Sequence, residues 1–98
     1  MAKKTAAPKN GKKRVTFEVE AEAGSKVYLA GCFNGWEIGK KELVDKEGSG
    51  VYKCILMLSP GNYEYKFVIN DAWCLDPANP NFVANDQGTL NSCIEVIG

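Results

Sequence analysis

Four side chains in this sequence have the chemical types needed to hold a flat ring that carries hydroxyl groups. They are Trp36, Lys66, Trp73 and Asn91. An indole presents a flat apolar surface to the face of such a ring, while ammonium and amide groups hydrogen-bond the hydroxyl groups at its edge. The set is therefore suited to gripping a pyranose. The competing interpretation is that both tryptophans are core residues, because tryptophan is highly buried on average.

A predicted β-hairpin fixes the position of Trp73. Residues 63–69 alternate strictly between large apolar side chains and the set Glu, Lys and Val, and a period of two is typical of a strand with one buried face. The Asn-Asp pair at positions 70 and 71 tolerates positive φ and predicts a two-residue turn. Because that turn pairs Val68 with Trp73, we predict that Trp73, Val68 and Lys66 share the solvent face.

Short strand-like segments recur along the chain, and no helix is predicted. The predicted strands are 14–20, 26–31, 42–45, 51–58, 63–69, 72–75 and 90–97. Residues 31–36, which end at Trp36, read as a shaped loop. The almost continuously apolar segment 51–58 indicates a central strand buried on both faces, and residues 76–89 are expected to form a long irregular loop. The fold class is therefore all-β: an immunoglobulin-like β-sandwich of about seven or eight antiparallel strands.

Length and charge indicate one domain with a basic leader. Residues 1–14 hold six of the twelve basic residues and none of the twelve acidic ones. We predict a flexible basic N-terminal arm, residues 1–13, and a folded domain, residues 14–98. The rest of the chain has a net charge of −6, which argues against nucleic-acid binding. The sequence has neither an apolar run long enough for a membrane span nor a signal peptide after Met1, so we expect no membrane partner and a cytoplasmic location.

The cysteines favour neither a metal site nor a cofactor. They lie at positions 32, 54, 74 and 93 without a Cys-x-x-Cys pair, and the chain has no histidine. We expect four reduced, mostly buried thiols. The alternative is a disulfide between Cys32 and Cys93 in a secreted sandwich.

Without histidine, triads that use an imidazole base are excluded, and a glycosidase needs two carboxylates across a cleft. The chain is therefore predicted not to be an enzyme.

Several motifs follow one another in the order and spacing of a known family. They are Val27-Tyr-Leu-Ala-Gly-Cys-Phe-Asn-Gly-Trp36, Tyr65-Lys-Phe67, Asp71-Ala-Trp73, Asp76-Pro-Ala-Asn-Pro80 and Gly88-Thr-Leu-Asn91. Through these motifs, over about residues 14–97, the chain resembles family 48 carbohydrate-binding modules. That family includes glycogen-binding domains of the type found in the AMP-activated protein kinase beta subunit, and early-set domains of the isoamylase N-terminal type.

The resemblance implies a non-catalytic β-sandwich that binds glycogen, maltooligosaccharides and other starch-like α-1,4-glucans. It implies that Trp36 and Trp73 stack on sugar rings and that Lys66 and Asn91 contact hydroxyl groups. Thr89, next to the Gly-Thr-Leu-Asn asparagine, is expected to add a contact.

Gln87 departs from the pattern of the family. Kinase-type relatives carry at this position a leucine that packs into the curve of the glucan, so Gln87 is expected to alter the affinity and the preference for helical or cyclic glucans. The same exposed aromatic side chains also suit an alternative function. In that alternative the chain is a protein-interaction or regulatory scaffold domain, associated with a kinase or a glucan enzyme, and a partner protein covers the aromatic surface.

Overall fold

The structure is a computed structural model that describes residues 12–97 of the 98-residue chain. Its eight strands are β1 Lys13–Glu20, β2 Val27–Gly31, β3 Glu42–Leu43, β4 Val51–Leu58, β5 Gly61–Ile69, β6 Ala72–Cys74, β7 Phe82–Ala84 and β8 Leu90–Val96. A single turn of 3-10 helix, Cys32–Asn34, follows β2. The predicted arm, residues 1–13, lies almost wholly outside the described residues, so it and the domain boundary stay predictions.

The strands form two layers in which every pairing is antiparallel. Strands β1 and β4 make a two-stranded sheet, and the larger sheet has the order β3-β2-β5-β8-β7, with β6 also paired to β5. Strand β5 is central, because β2 lies along one of its edges while β6 and β8 follow one another along the other. This confirms the predicted all-β, immunoglobulin-like sandwich.

The core lies between the two sheets and is centred on aromatic side chains. Phe17 of β1 contacts Tyr65 of β5 edge-on, with ring centroids 4.9 Å apart, and Tyr65 contacts Phe67 in the same manner at 5.8 Å. Such edge-to-face pairs stabilise the packing by about 0.5–1.5 kcal/mol each beyond the area that they bury. Tyr65 and Phe67 are 1% and 0% exposed, so β5 is fixed firmly to the layer below it.

The prediction that 51–58 is a central strand buried on both faces is wrong. This segment is β4, which pairs with β1 in the small sheet, and its side chains alternate. Tyr52, Cys54 and Leu58 face the core, whereas Ile55 and Met57 are 46% and 49% exposed. The physical reason is that, within the described residues, the small sheet packs against a second layer on one face only.

The prediction that residues 76–89 form one long irregular loop is wrong for residues 82–84. The strand β7 lies within this segment and pairs with β8. The preceding residues are tied to β5, because Tyr65 Oη donates to Asp76 Oδ2 at 2.6 Å and Asn79 Nδ2 donates to Tyr65 Oη at 3.0 Å. Burial, together with the hydrogen bond to Asp76, raises the pKa of Tyr65 well above its ordinary value. The hydroxyl therefore stays protonated and holds the segment in place.

Candidate functional site

The β5–β6 hairpin has the predicted register. Val68 lies opposite Trp73, and Asn70 and Asp71 form the turn with φ of 50° and 70°. Trp73 is 45% exposed on the outer face of the larger sheet, the face that turns away from the core. Val68 shares this face but is completely buried, because it lies between Trp73 and Tyr28 of the neighbouring strand.

Trp36 reaches the same face from the loop after β2. Asn34 ties this loop to the strand, since its Oδ1 accepts from Gly31 N and its Nδ2 donates to Leu29 O, both at 3.0 Å. The Trp36 backbone has a φ of 62° and its N–H donates to Gly31 O at 3.0 Å. Positive φ is uncommon for a bulky residue and is found where the surrounding structure holds a side chain in a required direction.

One cavity of about 810 Å³ collects every residue that the sequence singled out. Its lining includes Trp36, Lys66, Trp73, Gln87, Thr89 and Asn91. Four further residues line it that sequence reasoning missed: Glu64, Ala84, Asn85 and Asp86. We call this the tryptophan cavity. Its volume lies in the range of small-molecule sites, and it combines aromatic surface with a few convergent polar groups.

A series of side-chain hydrogen bonds joins the polar residues of the tryptophan cavity. Asn91 Nδ2 donates to Glu64 Oε1 at 2.9 Å, and Asn91 Oδ1 accepts from Asn85 Nδ2 at 3.0 Å. The same Asn85 amide donates to Thr89 Oγ1 at 2.7 Å, and Lys66 Nζ donates to this oxygen at 3.2 Å. Because these bonds fix the side chains before any ligand arrives, the cavity is preorganised.

The hydrogen bonds decide what each group can still offer to a ligand. Thr89 Oγ1 accepts twice, so its hydroxyl can act towards a ligand only as a donor. Lys66 uses one of its three N–H bonds on Thr89, and Glu64 is left with acceptor capacity on Oε2. Donors and acceptors therefore stand side by side, as binding of sugar hydroxyl groups requires.

Asn91 is more enclosed than the sequence led us to expect. It is 6% exposed, and both ends of its amide are bonded within the protein. Its carboxylate partner Glu64 is only half-buried. Glu64 is therefore more accessible from the cavity than Asn91. The only sequence signal that placed Glu64 on this face was the alternation of residues along its strand.

The loop between β7 and β8 carries Gln87 at its tip and is closed by Asn85. Asn85 Oδ1 accepts from the backbone N–H groups of Gln87 and Thr89, each at 3.0 Å. Asn85 N donates to Thr89 O at 2.9 Å, and Gly88 supplies a φ of 82°. Asn85 thus shapes the loop backbone with its oxygen and orients the site with its nitrogen. The sequence indicated a turn former here but not this second role.

The four cysteines are free thiols. Only Cys54 is buried, so the expectation of mostly buried thiols is wrong: Cys74 and Cys93 are half-buried and Cys32 is exposed. Burial raises the pKa of the Cys54 thiol to about 11, against a smaller opposing effect of Lys41. The alternative disulfide between Cys32 and Cys93 is not formed. Cys32 directly follows β2 and Cys93 lies within β8, and these two strands flank β5 on opposite edges, about 10 Å apart, which exceeds the reach of a disulfide.

Two other features bear on the kind of site. Within residues 12–97, no group of three or more Cys, Asp or Glu side chains is arranged to hold a metal ion. Across the same residues, the structure has no helix with the length and apolarity that a membrane crossing requires.

The fold has a counterpart among solved structures. The crystal structure of maltogenic amylase from S. marinus matches 90% of this chain with a TM-score of 0.74, at 23% sequence identity and over 14% of the amylase chain. At this level of identity the likeness defines the fold alone: a β-sandwich module that occurs as a small part of a larger protein.

The chain belongs to the family described as the glycogen recognition site of AMP-activated protein kinase, whose model matches residues 13–97. It is 40% identical over 67 residues to Protein PTST homolog 2, chloroplastic, of Arabidopsis thaliana, covering 68% of this chain and 12% of that protein. It is 38% identical over 73 residues to 5'-AMP-activated protein kinase subunit beta-1 of Homo sapiens, covering 74% of this chain and 25% of that subunit. The resemblance found in the sequence motifs is thus confirmed, and family membership supports carbohydrate binding.

The chain spans only a part of these relatives, 12% and 25% of their lengths. What the complete relatives do is therefore not a property of this domain alone. The Arabidopsis relative is chloroplastic by name. The cytoplasmic location expected from the sequence accordingly stays a prediction.

Proposed function

We propose that this domain binds glycogen or starch-like α-1,4-glucan without catalysis, through a platform made by Trp36 and Trp73. The observation that carries the proposal is that both indoles line one cavity together with Lys66, Thr89 and Asn91. The family to which the chain belongs is a glycogen recognition site, which supports glucan as the ligand. Gln87, Glu64 and Asn85 complete the proposed site.

In this proposal the indoles make apolar contact with the faces of the sugar rings, and the polar network fixes the orientation of the bound sugars. Lys66 and Thr89 donate to hydroxyl oxygens, and Glu64 accepts from hydroxyl groups. Asn91 acts mainly by holding Glu64, because its own amide is already bonded at both ends. An open surface that holds a few sugar residues should bind with Kd on the order of 10⁻⁶ to 10⁻³ M.

Electrophoresis in native gels cast with and without glycogen tests the proposal. The domain should be retarded by glycogen, and Trp73→Ala should remove most of the retardation, with binding weaker by about tenfold or more because the lost indole buries much apolar area. Met57→Ala is the matched control, since Met57 is 49% exposed on the other sheet and Trp73 is 45% exposed. Equal mobility of the wild-type domain in both gels would refute glucan binding.

The absence of catalysis is part of the same proposal. Glu64 and Asp86 are the two carboxylates that line the tryptophan cavity, and one oxygen of Glu64 is held by Asn91. The sequence has no histidine to serve as a base. Purified domain incubated with soluble starch should release no reducing sugar above a buffer blank. Release that disappears in Glu64→Gln would overturn this part of the proposal.

A second candidate function is association with a partner chain. Ile55 and Met57 are 46% and 49% exposed on the outer face of the small sheet, and one relative is by name a subunit of a protein kinase. Exposed apolar surface on a small domain is typical of an interaction site. A stoichiometric partner that is lost in Ile55→Lys/Met57→Lys but kept in Trp73→Ala would support this function. Retention of the partner by the lysine double variant would contradict it.

A further inference from the structure

A second cavity, of about 580 Å³, opens beside the tryptophan cavity on the outer face of the larger sheet. Glu64 lines both cavities. The other residues of the second cavity that matter here are Cys32, Asn62, Asn81, Cys93 and Glu95. We call it the Glu95 cavity.

The strand register places the two cavities next to each other along β5, with Glu64 between them. Asn62 lies opposite Glu95, Glu64 lies opposite Cys93, and Cys93 N donates to Asn81 O at 3.1 Å. Because alternate residues of a strand share a face, positions 62, 64 and 66 of β5 form one row on the outer face. This row runs from Lys66, in the tryptophan cavity, through Glu64 into the Glu95 cavity.

We propose that the Glu95 cavity is a further subsite for the same α-glucan chain, holding glucose residues beyond those at the two indoles. The inference rests on the proposed function. Amide groups of Asn62 and Asn81 both donate and accept, and the carboxylates of Glu64 and Glu95 accept, which matches hydroxyl groups at the edge of a sugar chain. Lysine and arginine are missing from the described lining, so the ligand is a neutral glucan and not a phosphorylated one.

The position of the cavity sets a minimum length for the ligand. From Val68, opposite Trp73, to Asn62 is six residues along β5, or about 20 Å. A trisaccharide bound at the indoles is too short to reach the Glu95 cavity, whereas a heptasaccharide reaches it. The subsite therefore adds affinity only for longer chains.

Calorimetric titration with a series from maltotriose to maltoheptaose tests the inference. The double variant Asn62→Ala/Glu95→Ala should bind maltoheptaose about threefold to tenfold more weakly than wild type, while its affinity for the shortest ligand that binds is unchanged. Both residues are exposed, so the fold should be retained. Glu20→Ala, which removes an exposed carboxylate from the small sheet, is the control.

The outcomes separate this inference from the function on which it rests. If wild type binds none of the oligosaccharides, the proposed function fails and the subsite fails with it. If wild type binds them and the double variant keeps the full gain with chain length, only the subsite is refuted.

Cysteine alkylation, mapped by mass spectrometry, gives a second measurement on the unmodified protein. Maltoheptaose should slow the reaction of Cys32 with iodoacetamide severalfold, and maltotriose should not. Cys74, outside the Glu95 cavity, is the internal control. An equal rate at Cys32 with and without saturating maltoheptaose would contradict the subsite.

Discussion

Replacing Asn85 by alanine is expected to destabilise the loop between β7 and β8 and to weaken glucan binding together. The change removes four side-chain hydrogen bonds: Oδ1 accepts from Gln87 N and Thr89 N, and Nδ2 donates to Thr89 Oγ1 and Asn91 Oδ1. Each is worth about 0.5–1.5 kcal/mol net, and water replaces those of the exposed partners. Asn91 is 6% exposed, so its oxygen is left poorly satisfied.

The free energy of unfolding should therefore fall by about 1–3 kcal/mol, which lowers the Tm of a domain of this size by roughly 5–20 °C. Glucan affinity should fall by about tenfold, because Thr89 and Asn91 lose the group that orients them. Thermal melting followed by circular dichroism and calorimetric titration with maltoheptaose measure the two effects.

The variant Asn85→Asp separates the two roles of this residue. Aspartate keeps an oxygen for the N–H groups of Gln87 and Thr89, so the loop should hold its shape and the Tm should fall by less than in Asn85→Ala. It cannot donate to Asn91 Oδ1, and it adds a negative charge near Glu64, so affinity should still fall by about tenfold. Wild-type affinity in both Asn85 variants would refute the reasoning that the network positions the site.

Three further predictions concern the scaffold. Asp71→Gly should raise the free energy of unfolding by up to about 1 kcal/mol, since the φ of 70° suits glycine, and a lowered Tm would contradict this. Gly31→Ala should lower the free energy of unfolding, measured with urea, by about 2 kcal/mol or more, because the added Cβ would lie 2.7 Å from Glu64 O and 2.6 Å from the Phe33 ring. An unchanged urea midpoint would contradict this prediction. Burial raises the Cys54 pKa from 9.0 to about 11, so its contribution to stability is present below pH 9 and is lost as the pH rises through 11. Between pH 9 and pH 11, the free energy of unfolding of wild type should thus fall by up to roughly 2–3 kcal/mol more than that of Cys54→Val. An equal fall in the two proteins would contradict this prediction.

The sequence was most informative where local chemistry decides the structure. The Asn-Asp turn sets the register of β5 against β6, and the register alone puts Trp73 opposite Val68. This required only the alternation of one strand and the backbone preference of two residues. Motif order along the chain was likewise sufficient to identify the family.

The errors arose where burial depends on layers far apart in the sequence. The apolar segment Val51–Leu58 predicts a strand buried on both faces. However, Ile55 and Met57 are exposed, because the sheet that β4 forms with β1 is covered on one face only within the described residues. Strand β7 was missed because three residues are too few for a periodic pattern. Only its pairing with β8 identifies it as a strand. The order of the layers and the pairing of edge strands depend on residues far apart in the chain, so a short window of sequence does not predict them.

By itself, the sequence determined the fold class, the family and the types of side chain that the candidate site requires, since these depend on local periodicity and on motifs read in order. Only the tertiary structure decided that Asn91 is enclosed, that Glu64 borders the cavity more openly, and that Asn85 connects the loop to Asn91. Hydrogen bonds between side chains on β5, on β8 and in the loop form only once those segments are brought together. Their geometry is therefore a property of the assembled sheet and not of any single strand.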